Sequence, residues 1–184
     1  MNRLRIFFVL SVLVVACSLT CCSNKHAIRD KIALMKSSKI DICLDSMMCV
    51  TKSTDIDENL SKPFRLIVFV DSSSCSLCEI RKIWKWEAFL KEKERSNFIG
   101  LFVILETNRK KMADIKETLE SDGISCPVYL DYKFSFLRNN PHVPNNHLFH
   151  SFLLDKNDSV ILIGEPIQNK TIENLYDKKI NELG

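Results

Sequence analysis

Cys75 and Cys78 stand in the run Asp71-Ser-Ser-Ser-Cys75-Ser-Leu-Cys78-Glu79, directly after an apolar stretch that begins at Arg65. Thiols at this spacing can close a small disulfide ring when the chain between them is helical, because such positions share one helix face. The preceding serines offer hydroxyls suited to capping a helix start. A thiol in the first helical turn faces backbone N–H groups that have no partner inside the helix, and the positive end of the helix dipole. Both favour the thiolate, which is the attacking species. The chemistry this predicts is thiol–disulfide exchange, with Cys75 as nucleophile and Cys78 as a buried resolving partner. A purely structural disulfide is the alternative. A zinc site is disfavoured, since no second Cys-x-x-Cys and no suitably spaced His pair supplies the remaining ligands. The exchange itself requires no metal and no organic cofactor.

Such a pair needs a scaffold, and the hydrophobic pattern supplies one. Arg65 to Asp71 reads as a strand buried on both faces, with a helix from Cys75 to Arg95 after the serine break. Phe98 to Glu106 repeats the buried-strand pattern, and Asn108 to Ser121 is helical, closed by Asp122-Gly123. Pro127 to Asp131 is a short strand, Tyr132 to Arg138 a helical turn, and Asn139 to Asn146 a loop. Leu148 to Asp155 and Ser159 to Gly164 form a hairpin around Lys156-Asn157-Asp158, and Thr171 to Leu183 is a closing helix. Upstream, residues 23–37 become mildly helical, Lys39 to Cys49 alternates as a strand or hairpin would, and Thr51 to Lys62 reads as a loop. The predicted fold class is α/β, a mixed sheet with helices on both faces.

The first residues are of another kind. Arg3 and Arg5 precede an apolar run from Ile6 to Ala16, a signal peptide's basic start and core, too short for a membrane span of ~20 residues. Val14-Val15-Ala16-Cys17 and Leu19-Thr20-Cys21-Cys22 both resemble a bacterial lipobox, in which a cysteine is lipidated and becomes the mature N-terminus. Cys22 leaves the polar Ser23-Asn24-Lys25 as a tether and is the preferred site; Cys17 is the other. This divides the chain into residues 1–22 as lipoprotein signal, 23–62 as tether with an accessory strand and helix, and 63–184 as the folded domain. Of the eight cysteines, Cys43, Cys49, Cys75, Cys78 and Cys126 then face an oxidising compartment, an odd set that leaves one unpaired within the chain. The formal charge of +3 includes Arg3 and Arg5, so the remainder is nearly neutral, without the basic patch a nucleic-acid partner would need.

From about Arg65 to Leu183 the chain resembles the thioredoxin superfamily, above all the TlpA/ResA-like thiol–disulfide lipoproteins of the bacterial envelope. The resemblance rests on the strand Leu66 to Val70, Cys75-Ser-Leu-Cys78, Pro127-Val-Tyr-Leu-Asp131, and the hairpin from Phe152 to Gly164. It implies a thioredoxin-like sheet, a protein dithiol or disulfide as partner, electrons from a membrane or periplasmic dithiol donor, and anchoring to a membrane through the N-terminal lipid. Two positions depart from the family pattern. Ser74 stands where Trp usually precedes the first Cys, and counting back from Asp155 places Phe149 or His150 where a cis-proline usually faces the dithiol. These departures keep a second class open, a non-catalytic binding lipoprotein whose cysteine pair is only structural.

Glu79, Trp86, Phe149 and His150 are the candidate tuning residues. Glu79 follows Cys78 and reads either as a proton carrier or as a solvated carboxylate at a helix start. Trp84 and Trp86 cannot share one helix face, and Trp86 is expected to pack. His150 is either near the dithiol or a plain strand histidine. Cys126, before apolar strand residues, is expected to be a buried free thiol. Cys43 and Cys49 are left as a mutual pair, two free thiols, or partners of Cys126. The charges from Lys91 to Arg95 read as a solvated helix face.

Overall fold

The computed structural model describes residues 26–51 and 56–183. Cys17, Cys22 and the other residues of the expected lipoprotein signal lie outside the described residues. Helix α1 covers residues 26–37, followed by β1 (Met48–Cys49), α2 (Ile56–Ser61), β2 (Phe64–Val70), α3 (Ser76–Ile80) and α4 (Ile83–Lys91). Then come β3 (Ile99–Glu106), α5 (Met112–Ser121), β4 (Val128–Asp131), α6 (Ser135–Asn139), β5 (Ser151–Leu154), β6 (Val160–Ile163) and α7 (Lys170–Asn181). The strands form one sheet in the order β1-β4-β3-β2-β5-β6. Strands β2, β3 and β4 are parallel, while β5 and β6 run antiparallel beside β2, and β1 runs antiparallel to β4.

The crossovers β2–β3 and β3–β4 step across the sheet in the same direction. Right-handed connections therefore place α3, α4 and α5 on one face. Ile80, Ile83, Trp86, Phe89, Ile115 and Leu119 pack there against Leu66, Val68, Val103 and Leu105, joined by Tyr176 of α7. The alternate side chains Ile67, Phe69, Phe102 and Ile104 meet Met35 of α1, Phe136 of α6 and the loop residues Val143 and Phe149 on the other face. Every residue of β2 and β3 is buried, as strands covered on both sides must be. This is the expected thioredoxin-like mixed sheet with helices on both faces. No helix among the described residues is long and apolar enough to cross a membrane.

Four local expectations need correction. Residues 56–61 are helical, not looped; the sequence Ile-Asp-Glu-Asn-Leu-Ser has no apolar period, and the helix rests on β3, where a Cβ at Gly100 would stand 2.2 Å from the Asn59 carbonyl oxygen. Of Lys39 to Cys49 only Met48–Cys49 is a strand, with Lys39 bridging Ser159, because Ile40 and Ile42 are drawn into the core beneath the sheet. The predicted helix from Cys75 breaks between Ile80 and Ile83 and ends in a 3-10 segment, Glu92–Asn97, with positive φ at Lys93 and Glu94. In that segment the supposed solvated face is interrupted: Arg95 is fully buried. Its guanidinium donates to Glu173 at 2.6 Å, Asp177 at 2.8 Å and the Phe89 carbonyl at 2.9 Å. Burial alone would push that charge out, but the two carboxylates of α7 outweigh it and hold the guanidinium protonated.

Candidate active site

Strand β2 lies centrally in the sheet and delivers Asp71 to the carboxyl edge of the parallel strands. The Asp71 carboxylate organises the serine turn. Its Oδ1 accepts from Ser73 N at 2.8 Å, from Ser73 Oγ, and from Ser74 N at 3.2 Å. Glu106, buried at the end of β3, accepts from Ser72 N at 3.0 Å. The serine run is therefore stapled by side chains, which is why a strand can stop and a helix begin within so few residues. Burial disfavours the Asp71 charge, yet the Ser73 hydrogen bonds prevail and lower its pKa below the usual carboxylate value.

Cys75 is the extended residue that opens α3, with φ −74° and ψ 97°, and Cys78 follows within the same short helix. Both are free thiols and both are exposed. This corrects the expected burial of Cys78. Cysteines spaced by one turn share the outer face of α3, and the inward position falls to Ser76 and Ile80 instead. The Cys75 thiol is lowered from its ordinary value first by hydrogen bonding from the Cys78 thiol, then by the backbone N–H groups of Cys78 and Leu77, with Glu79 opposing. None of these N–H groups makes a full capping bond to the sulfur. Cys78 is raised by the same contact seen from the donor side, with Arg81 opposing. Because α3 is a five-residue helix, near N–H groups and the partner thiol carry the effect, more than any long dipole.

The surrounding side chains divide by role. Trp86 is buried in the wall behind the site and Trp84 is exposed. Glu79 forms a surface ion pair with Lys82 at 2.7 Å. Phe149 packs into the core on the far face of the sheet, away from solvent. His150 immediately precedes β5, is 3% exposed, and stacks edge-on to Phe69 at 4.9 Å. Its Nδ1 is 3.5 Å from Asp71 Oδ2 and its Nε2 lies 3.0 Å from the Pro144 carbonyl oxygen. A cavity of about 370 Å³ opens here, lined by Ser74, Glu79, Lys82, Trp86, His150 and Glu165 among others. The sequence carried no signal for Asp71: an acidic residue after a strand is ordinary turn chemistry.

The remaining cysteines are separate from this site. Cys43, Cys49 and Cys126 are free, so none of the considered pairings forms in this structure. Burial, with Asp41 beside it, pushes the Cys43 thiol up to about 11. Cys126 is half-buried and raised further, by burial and then by the charge of Glu87. Among the described residues no cluster of His, Cys, Asp and Glu could hold a metal ion.

No family model and no curated protein matches the chain. Solved structures do. A PrxQ variant from Xylella fastidiosa superposes with a TM-score of 0.50 at 9% identity, covering 80% of this chain and 96% of that one. A candidate thiol:disulfide interchange protein DsbE from Chlorobium tepidum gives 0.49 at 19% identity, over 80% of this chain and 99% of that one. The thioredoxin domain of a thiol-disulfide oxidoreductase from Bacteroides vulgatus gives 0.46 at 17%, over 68% and 84%. At 9% identity, what the PrxQ variant shares with this chain is the fold.

Proposed function

We propose that this chain is a TlpA/ResA-like thiol–disulfide oxidoreductase of a bacterial cell envelope. It exchanges disulfides with protein partners through Cys75 and Cys78, and a lipid on Cys22 or Cys17 holds it to the membrane. The observation that carries the reading is the dithiol itself: two free thiols on one exposed helix face, after the central strand, with the proton biased toward Cys78 and the thiolate toward Cys75. The Cys75 thiolate attacks one sulfur of the partner's disulfide, forming a mixed disulfide and expelling the partner's other sulfur as a thiolate. Cys78, after losing its proton, attacks the Cys75 sulfur and releases the partner's second thiolate. The two thiols here become one disulfide as the partner's disulfide becomes two thiols, and the electrons are replaced by an envelope dithiol donor. Exposure of Cys78 favours rapid resolution, because its sulfur needs no local opening to reach Cys75.

The test is a trapping experiment. Cys75→Ser should abolish exchange with a disulfide substrate. Cys78→Ser should accumulate a higher-mass adduct with an envelope protein that dithiothreitol removes. If Cys78→Ser forms no adduct and the dithiol shows no measurable equilibrium with glutathione, the oxidoreductase reading fails. A binding protein with an idle cysteine pair then takes its place, the reading favoured by Ser74 before Cys75 and by His150 before β5.

A further inference from the structure

We propose that Asp71 and His150 form a one-proton pair that positions the dithiol loop and couples Cys75 reactivity to pH, an inference that rests on thiol exchange at Cys75. The geometry fixes the ring. The Pro144 carbonyl oxygen can only accept, so at 3.0 Å it requires the proton on His150 Nε2. In the neutral ring Nδ1 is then a lone pair, directed at Asp71 Oδ2 from 3.5 Å. Two acceptors face each other, a contact that becomes a charge-assisted hydrogen bond only when one proton is added. Packing against Phe69 at 3% exposure keeps the ring from turning away.

The other oxygen of the same carboxylate collects Ser73 and Ser74, the residue before Cys75. Once His150 takes up its proton, one carboxylate ties the dithiol turn to the segment that runs from Pro144 into β5. The groups facing His150 are Asp71 at the end of β2, Glu106 at the end of β3 and His147 in the turn before β5. Across the shared cavity stand Glu79 and Lys82 beside α3, Lys85 of α4, and Glu165 beyond β6. Burial lowers the proton affinity of His150 and His147 adds to this, while the Pro144 carbonyl, Asp71 and Glu106 oppose; the ring lies below the usual histidine value. It is neutral at pH 7 and takes up its proton on acidification. The new cation lies behind the dithiol loop, where it favours the Cys75 thiolate by about 2- to 10-fold, the range for a nearby charge partly screened by solvent.

The experiment measures the rate of iodoacetamide alkylation at Cys75, read by peptide mass spectrometry, from acid to neutral pH. It compares the full folded protein with Asp71→Asn and His150→Gln. Nitrogen-15 NMR of the histidines runs in parallel on the unmutated protein. The expected result is an uncorrected rate–pH profile with a second, lower ionisation that disappears in His150→Gln and moves to lower pH in Asp71→Asn. NMR should show the Nε2–H tautomer for neutral His150, titrating at that same pH. A single ionisation in all three proteins overturns the proposal, as does an Nδ1–H tautomer. If the variants change melting temperature but leave the profile unmoved, the pair is only structural and the proposal also falls. The Cys78→Ser trap is scored separately, so a lost second ionisation with the adduct present, or the reverse, shows which reading has failed.

Discussion

The two edges of the parallel strands place cysteines in opposite surroundings. At the carboxyl edge, after β2, Cys75 and Cys78 are exposed, and a neighbouring thiol with local N–H groups favours the thiolate on Cys75. At the amino edge, before β4, Cys126 is half-buried, and its own N–H and that of Ser125 bind Glu87 Oε1 at 2.8 and 2.9 Å. The carboxylate that organises that turn also opposes thiolate formation at Cys126. Asp71 plays the matching organising role at the other edge, but there the cysteines lie beyond the turn on a free helix face. Nearby, before β3, Arg95 is completely buried between Glu173 and Asp177. Loops at the carboxyl edge of such sheets are where ligands are ordinarily met, whereas the amino edge is free to be tied shut. Thiol reactivity here therefore follows each cysteine's immediate surroundings: Cys75 faces free N–H groups and a donor thiol, while Cys126 faces burial and a carboxylate.

The largest expected effect is in thiol reactivity. In the reduced, folded protein Cys75 should alkylate at neutral pH at least about a hundredfold faster than Cys126, because one thiol is lowered and exposed while the other is raised and shielded. Quantitative mass spectrometry of timed iodoacetamide reactions measures this directly. Equal rates would erase the contrast between the edges.

Next in size is the stability held at the amino edge. Arg95→Met should destabilise the protein by about 2 kcal/mol, since it removes the charged hydrogen bonds of a fully buried guanidinium while Lys93 still pairs with both carboxylates. Urea unfolding gives the loss, and Cys75 alkylation in the same variant should be unchanged. A change in both would mean that the edges are coupled.

The smallest effect is the pH dependence of stability. His150 has a folded pKa below its unfolded value, so the unfolded chain takes up the proton first as pH falls. The stability from its neutral ring is complete above about pH 6.5, the unfolded value, and is lost as pH drops toward the folded value, by at most about 1.4 kcal/mol per unit of difference. Asp71 acts lower: its folded pKa is depressed, so its contribution persists until pH falls below about 3.9 and through the folded value. Melting curves of His150→Gln should be flatter in the histidine window and also less steep in the carboxylate window, because His150 is one of the groups that lower Asp71. His142, also lowered by burial, shares the first window and leaves a residual slope.

Features that depend on neighbours along the chain were legible in the sequence. Leu66 to Val70 and Leu101 to Leu105 are continuous apolar runs with β-branched residues, so their burial on both faces could be read directly, and with it the parallel core of the sheet. The serine break and the paired cysteines made a helix start legible after β2, and Asp155 to Ser159 made the hairpin legible. The polar helix α2 was not legible, because it has no apolar period and the surface it rests on, the bare backbone of Gly100, lies far along the chain in β3. Arg95 gave the wrong impression for a similar reason: in sequence it belongs to a charged run, and only α7 supplies the carboxylates that make its burial tolerable. The exposure of Cys78 turned on which face of a short helix met the core. The meeting of Asp71 with His150 turned on β5 pairing beside β2, where Phe69 N donates to the His150 carbonyl at 2.8 Å. Hydrophobic period and turn chemistry are local properties, but desolvation and charge pairing are set by groups that only the folded sheet brings within reach.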